Sequence, residues 1–288
     1  MEDKKGGLSI ISFDFEYYKP STISEAVQLY QTISNRGQTA TYISGGTEFI
    51  TFARTNKITT DAIIDLKGIP ECHLLKVRGD ELVIGAAVSL NKITESKVFP
   101  LLGEAVKKVA DHTSRNKITI GGNLFSQLKY REGLLALLLT DSKVIVVGIE
   151  GEEILFLEDV MKNNMELKDG QFLVQILIEK AYLDCPCVSL KKTRLSKIGY
   201  PLASVSALKR DNQIRAAISG VCEYPFRSID IESTLNDDTL SVDDRITKAL
   251  TQLPSRVVDN FEGSAEYREF VLRNMLEDVI QTLKEENA

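Results

Sequence analysis

The chain has 288 residues, a formal net charge of −6 and a pI near 5.2, with 43% hydrophobic and 26% charged residues. This is the composition of an ordinary globular protein, with length for about two domains, and its acidity argues against a phosphate-backbone partner, since nucleic-acid binders carry a basic face or stripe. Cys72, Cys185, Cys187 and Cys222 are scattered, which points to reduced thiols; the CPC at 185–187 falls short of the four closely spaced ligands of an iron–sulfur centre.

The N-terminus, MEDKKGGLSIIS, has no long apolar stretch and no small-residue cleavage site, so it does not read as a secretory signal. After an opening strand, PSTISEAVQLYQTIS predicts a helix with Ser24 as N-cap, Glu25 in the first turn, and Ala26, Val27, Tyr30 and Ile33 at helical spacing. TATYIS is a strand ending in Gly45-Gly46-Thr47, and DAIIDL at 61–66 is another. From about Glu71 a second α/β unit is expected: ELVIGAAVSL as a strand, FPLLGEAVKKVADHT as a helix, NKITIGG as a strand, GLLALLL as a helix and KVIVVGI as a strand. The last two form the most apolar region, but TDSK interrupts it and neither side is long enough to span a bilayer; a soluble cytoplasmic protein is expected. EGEE at 150–153 and KNNMELKDG at 162–170 read as connections, and FLVQILI as a returning strand. Beyond Pro186 come strand-like CVSLKKT, LASVSALKR and IRAAISGV, then helices through TKALTQL and YREFVLRNMLEDVIQTL. These predict a separate α+β domain from about residue 185.

Two segments share a pattern. SGGTE at 44–48 and TIGGN at 119–123 each read as a strand, a Gly-Gly turn and a polar residue. Glycine tolerates positive φ and has no Cβ, so consecutive amides can converge on one anion; two such turns can clamp a diphosphate. No GxGxxG follows a strand, and neither turn carries the Lys-Ser/Thr pair of a P-loop. His73 and His112 sit in no recognisable acid/base pair and read as structural.

PSTISEAV, SGGTE, IDL at 64–66, IGAAVSL at 84–90, RNKITIGGN, KKTR at 191–194 and SAEYR at 264–268 together make the chain, from about Phe15 onward, resemble the FAD-binding subunit of the molybdenum hydroxylases: the xanthine dehydrogenase, carbon monoxide dehydrogenase and nicotinate dehydrogenase family. The resemblance implies an α+β protein. A two-part FAD-binding α/β domain of the vanillyl-alcohol-oxidase/PCMH type would occupy 1–184, with subdomains about 1–68 and 69–184, followed by a smaller α+β domain at 185–288 that closes over the flavin and presents surface to partners. Carried over by position, Tyr42, Ile43, Ser44, Gly45, Gly46, Thr47 and Glu48 would form one wall around the FAD diphosphate, and Ile118, Thr119, Gly122 and Asn123 the other. Glu132 stands where the family places an Asp that accepts bonds from the adenosine ribose, although SQLKYRE departs from the common ASPxxD; Leu173 stands where an apolar side chain packs on the flavin; Lys191 or Lys192 stands where a lysine approaches its polar edge. The resemblance further implies electron transfer from a [2Fe–2S] subunit to NAD or another acceptor, with a separate molybdenum–pterin subunit acting on the substrate. The absence of cysteine between Cys72 and Cys185 excludes the extra [4Fe–4S] cluster of some relatives. The alternatives are a self-contained flavin oxidoreductase of the same fold group and a non-catalytic nucleotide-binding scaffold.

Overall fold

The computed structural model describes residues 11–162, 165–194 and 199–285. It begins with β1 (Glu16–Tyr18), α1 (Ile23–Asn35), β2 (Ala40–Ile43), α2 (Thr47–Arg54) and β3 (Ala62–Asp65). The strands form a parallel sheet in the order β1-β3-β2, which a chain can make only with crossovers between its strands; α1 and α2 occupy those crossovers. The N-cap of α1 is Thr22, not Ser24: its hydroxyl accepts the Glu25 N–H at 3.1 Å, and the Glu25 carboxylate reaches back to the Ser21 N–H at 2.7 Å. This reciprocal arrangement satisfies two amides at once, which a cap at Ser24 would forgo. Helix α2 went unseen in the sequence because its two threonines, isoleucine and two phenylalanines suit a strand equally well.

A five-stranded antiparallel sheet follows, in the order β4 (Leu75–Arg78), β5 (Glu81–Gly85), β8 (Phe172–Glu179), β6 (Lys143–Gly148), β7 (Gly151–Phe156). Between β5 and β6 run five short helices: α3 (Leu90–Ser96), α4 (Pro100–Val106), α5 (His112–Arg115), α6 (Ile120–Leu124) and α7 (Glu132–Leu138); α8 (Leu157–Lys162) follows β7. The main apolar core lies between this sheet and these helices, and every residue of α7 is buried in it. EGEE is therefore not a loop: Glu150 lies in a two-residue hairpin, and Gly151 opens strand β7 with φ +107°, a conformation that glycine adopts readily. Of the expected connection at 162–170, residues 163 and 164 lie outside the described residues, and 166–170 contain no helix or strand.

The last sheet, β9 (Cys187–Thr193), β10 (Pro201–Arg210), β11 (Gln213–Ser219) and β12 (Phe226–Arg227), is antiparallel in the order β12-β11-β10-β9. Eight consecutive residues of β10 are buried. This follows from both faces being covered: Val205, Ala207 and Ile218 pack on α9 (Ile229–Leu235), α10 (Val242–Leu250) and α11 (Ala265–Glu285), while Leu208 and Ala217 join the main core beside α4 and α7. Among the described residues no helix is long and apolar enough to cross a membrane, and no group of three or more His, Cys, Asp or Glu side chains is placed to hold a metal.

Candidate functional site

β2 delivers the first glycine turn to one end of the parallel sheet, where every residue from Tyr42 to Glu48 is half-buried. Gly46 takes φ +71° and caps α2 without any side-chain acceptor. The first bond across the helix entry is Ile50 N–H to Gly46 O at 2.9 Å, and the amides of Gly45, Gly46 and Thr47 find no acceptor among the described residues. The Ser44 hydroxyl oxygen is buried without a hydrogen-bond partner. Free amides at a helix start with an unmatched hydroxyl beside them make a receptor for an anion.

The second turn is built differently from the strand that NKITIGG suggests. Thr119 makes only an isolated bridge with Ser89 and then caps α6, its hydroxyl accepting the Gly122 N–H at 3.1 Å. The neighbouring amides are equally engaged: Ile120 donates to Val88 O at 2.9 Å, Gly121 to Ala86 O at 3.0 Å and Asn123 to Thr119 O at 2.9 Å. The backbone is not bare, so these glycines serve close approach instead of amide donation. A Cβ on Gly121 would lie 2.9 Å from Ala86 O, whereas one on Gly122, which is exposed between two buried neighbours, would meet only Thr119 Oγ1 at 3.1 Å. Gly122 thus presents an open, side-chain-free surface.

The two turns meet directly. A Cβ on Gly45 would stand 2.2 Å from Lys117 O and 3.3 Å from Thr119 N, so the first turn rests on the backbone leading into α6. Glu48 ties the same elements from the other side, accepting from the Ser126 hydroxyl and from Gln127 N–H at 2.8 Å. Asn123 turns its side-chain oxygen to the Gly133 N–H at 3.0 Å and so fixes α7 against α6.

Other expected residues lie elsewhere or are already engaged. Tyr42 packs between Tyr30 and Phe172, with ring centroids 5.3 and 4.7 Å away, and burial pushes its phenol pKa upward. Ile43 and Ile118 are half-buried against apolar clusters. Leu173 is enclosed in the main core at 5% exposure, so it offers no open face to a flavin ring. Glu132 and Lys191 are paired with each other, Lys191 Nζ lying 2.8 Å from Glu132 Oε1 and 2.9 Å from Lys108 O. Glu132, expected to accept bonds from the adenosine ribose, thus shares one carboxylate oxygen with Lys191. Lys192, next along β9, is exposed. A narrow cleft beside the pair is lined by Lys108, Ser189 and Ser204, whose buried hydroxyl has no partner.

Sequence reasoning missed what stands behind the first turn. Asp65, at the end of β3 and 2% exposed, accepts from the Lys67 N–H at 3.0 Å, from the Tyr17 hydroxyl and from Lys67 Nζ at 2.8 Å. Lys67 Nζ also donates to Ser44 O at 2.6 Å. Burial of Asp65 opposes its ionisation, but the bonds from Lys67 and Tyr17 outweigh it and hold its pKa below the ordinary carboxylate value; the same contact pushes Tyr17 up to about 12. An Asp-x-Lys just after a strand, at the end of the sheet that carries the glycines, was the available signal.

Comparison with known proteins gives the family and the fold. Residues 13–179 match the family model described as "FAD binding domain in molybdopterin dehydrogenase". The chain is 33% identical over 114 residues to the carbon monoxide dehydrogenase medium chain of Hydrogenophaga pseudoflava, a stretch covering 38% of this chain and 39% of that one. It is 24% identical over 275 residues to the 6-hydroxypseudooxynicotine dehydrogenase complex subunit alpha of Paenarthrobacter nicotinovorans, covering 91% and 92% of the two chains. A solved carbon monoxide dehydrogenase from Hydrogenophaga pseudoflava, lacking the Mo-pyranopterin moiety of the molybdenum cofactor, shares the fold with a TM-score of 0.83 at 20% identity, over 95% of this chain and 98% of that one.

Proposed function

Because the chain belongs to the family of FAD-binding domains in molybdopterin dehydrogenases, we propose that it is the electron-transfer flavoprotein subunit of a molybdenum hydroxylase complex, taking electrons from a [2Fe–2S] partner and passing them to NAD or another acceptor. The observation that carries the reading is the first glycine turn: three amides and a Ser44 hydroxyl without hydrogen-bond partners among the described residues, set against the Thr119–Gly122 surface. These groups fit a diphosphate, which supplies acceptors and charge where the protein has donors only. Ser44, Gly45, Gly46 and Thr47 would donate to it, Gly122 would let it approach, and Thr119 and Asn123 would hold that wall in shape. Bound there, FAD would supply the conversion between single-electron and paired-electron transfer. The last sheet, beginning at Cys187, would form the domain that covers the flavin, and the Glu132–Lys191 pair would lie where that domain meets the FAD-binding one.

Partners follow from the chain's own chemistry. Among the described residues no group of three or more His, Cys, Asp or Glu side chains is placed to hold a metal, and iron–sulfur clusters and the molybdenum–pterin would belong to other subunits. The relatives' names, "medium chain" and "complex subunit alpha", support that assignment. Titration of the apoprotein with FAD should quench flavin fluorescence with one-to-one stoichiometry, and affinity capture from native cells should recover molybdenum and iron with the chain. A protein that stays colourless with excess FAD would sink the cofactor assignment; turnover of a small organic substrate by the isolated chain would replace the subunit reading with a self-contained oxidoreductase.

A further inference from the structure

Lys67 occupies a place that no glycine motif accounts for. Its ammonium bonds the Ser44 carbonyl at 2.6 Å and Asp65 Oδ2 at 2.8 Å. Its own main chain is fixed at both ends, the N–H donating to Asp65 Oδ1 at 3.0 Å and the carbonyl accepting from His73 Nε2 at 3.0 Å. Asp65 is buried and is further held by the Tyr17 hydroxyl. The cation is therefore pinned.

The Ser44–Gly45 peptide, like every described peptide bond, is trans. Its carbonyl and N–H then lie in one plane and point in opposite directions. Holding the carbonyl on Lys67 turns the Gly45 N–H away from Lys67, and that amide has no acceptor among the described residues. Glycine on one side of the peptide would otherwise allow it to rotate between several conformations. A cation on the carbonyl also polarises the peptide, making its N–H a stronger donor.

We propose that Lys67 is a positioning residue for cofactor binding: through the Ser44–Gly45 peptide it orients and strengthens the Gly45 amide toward the FAD diphosphate. The inference rests on the FAD reading above. It is tested with the full-length apoprotein and its Lys67→Met and Lys67→Arg variants, by calorimetric titration with FAD and with ADP, and by the amide resonances of Gly45 and Gly122 in the free protein. Lys67→Met should weaken both ligands about tenfold, the scale of losing one charge-assisted bond, and move the Gly45 amide proton upfield while leaving Gly122 in place. Lys67→Arg, whose guanidinium spans the carboxylate and the carbonyl, should restore both readings. Affinities and Gly45 resonance unchanged in Lys67→Met would overturn the role of Lys67 while the FAD reading stood. A wild-type chain that takes up neither FAD nor ADP would sink the FAD reading itself.

Discussion

Gly45 and Gly122 lack a side chain for opposite reasons, and substitution separates them. A methyl on Gly45 would be driven into the Lys117 carbonyl at 2.2 Å; backbone has to move, at a cost of about 2–3 kcal/mol. Gly45→Ala should therefore lower the unfolding midpoint and, because the two turns part, lose flavin as well. A methyl on Gly122 meets only Thr119 Oγ1 at 3.1 Å, and the gain in helix propensity offsets that contact, so stability should stay within about 1 kcal/mol of wild type. Its methyl would nevertheless fill the open, side-chain-free surface at Gly122. Gly122→Ala should thus fold normally in thermal melts and bind FAD weakly in fluorescence titration; full FAD affinity in this variant would remove Gly122 from the site. The motif itself was legible in the sequence, but which glycine is left open and which is packed against backbone was not, because only the three-dimensional contact at Lys117 distinguishes them.

At the level of elements, α6 shows why part of the site escaped sequence reasoning. Ile118, Thr119 and Ile120 are β-branched, and β-branched runs favour strands; a helix of five residues holding two glycines has little propensity of its own. It forms because Val88 and Ala86 supply carbonyls from the loop after β5, and because Thr119 caps it. β2, β3, α7, β6 and β8 were readable because their apolar runs are long or strictly bounded, and α11 because its periodicity spans 21 residues. The cap can be tested directly. Thr119→Ala leaves the Gly122 amide without its acceptor and should cost about 1 kcal/mol, with FAD affinity falling as the α6 wall loosens. Thr119→Ser keeps the hydroxyl and should keep both stability in urea denaturation and affinity, whereas equal behaviour of the two variants would show that the cap does not shape this wall.

At the scale of the whole molecule, polar clasps among the described residues fasten the last sheet to α7 and its neighbours, and two of them join residues too distant in sequence to be paired by inspection. In the first, Asp141 accepts from Arg215 and Arg227, each at 2.7 Å, and from Tyr182, while the two arginines also bond the carbonyls of Leu139 and Leu138 at the end of α7. Burial opposes ionisation of Asp141, but the bonds from Arg215, Tyr182 and Arg227 prevail and hold its pKa below the ordinary value. A depressed folded pKa means that this stabilisation is complete above the unfolded value, about 3.9, and is lost as pH falls toward the folded one. Asp141→Asn should accordingly lower the melting temperature at pH 7 and narrow its gap to wild type on acidification below pH 4. The second clasp is the more consequential. Lys191 and Glu132 have side chains only 6% and 9% exposed, and Lys108 crosses the same seam in the reverse direction to the Ser189 carbonyl. Breaking a buried pair from one side strands its partner's charge, at a cost of about 3–5 kcal/mol, whereas removing both charges spares that penalty. Lys191→Met and Glu132→Gln should each destabilise strongly in urea denaturation, and the double variant by clearly less than their sum. Additive losses would mean that the two residues stabilise the fold independently.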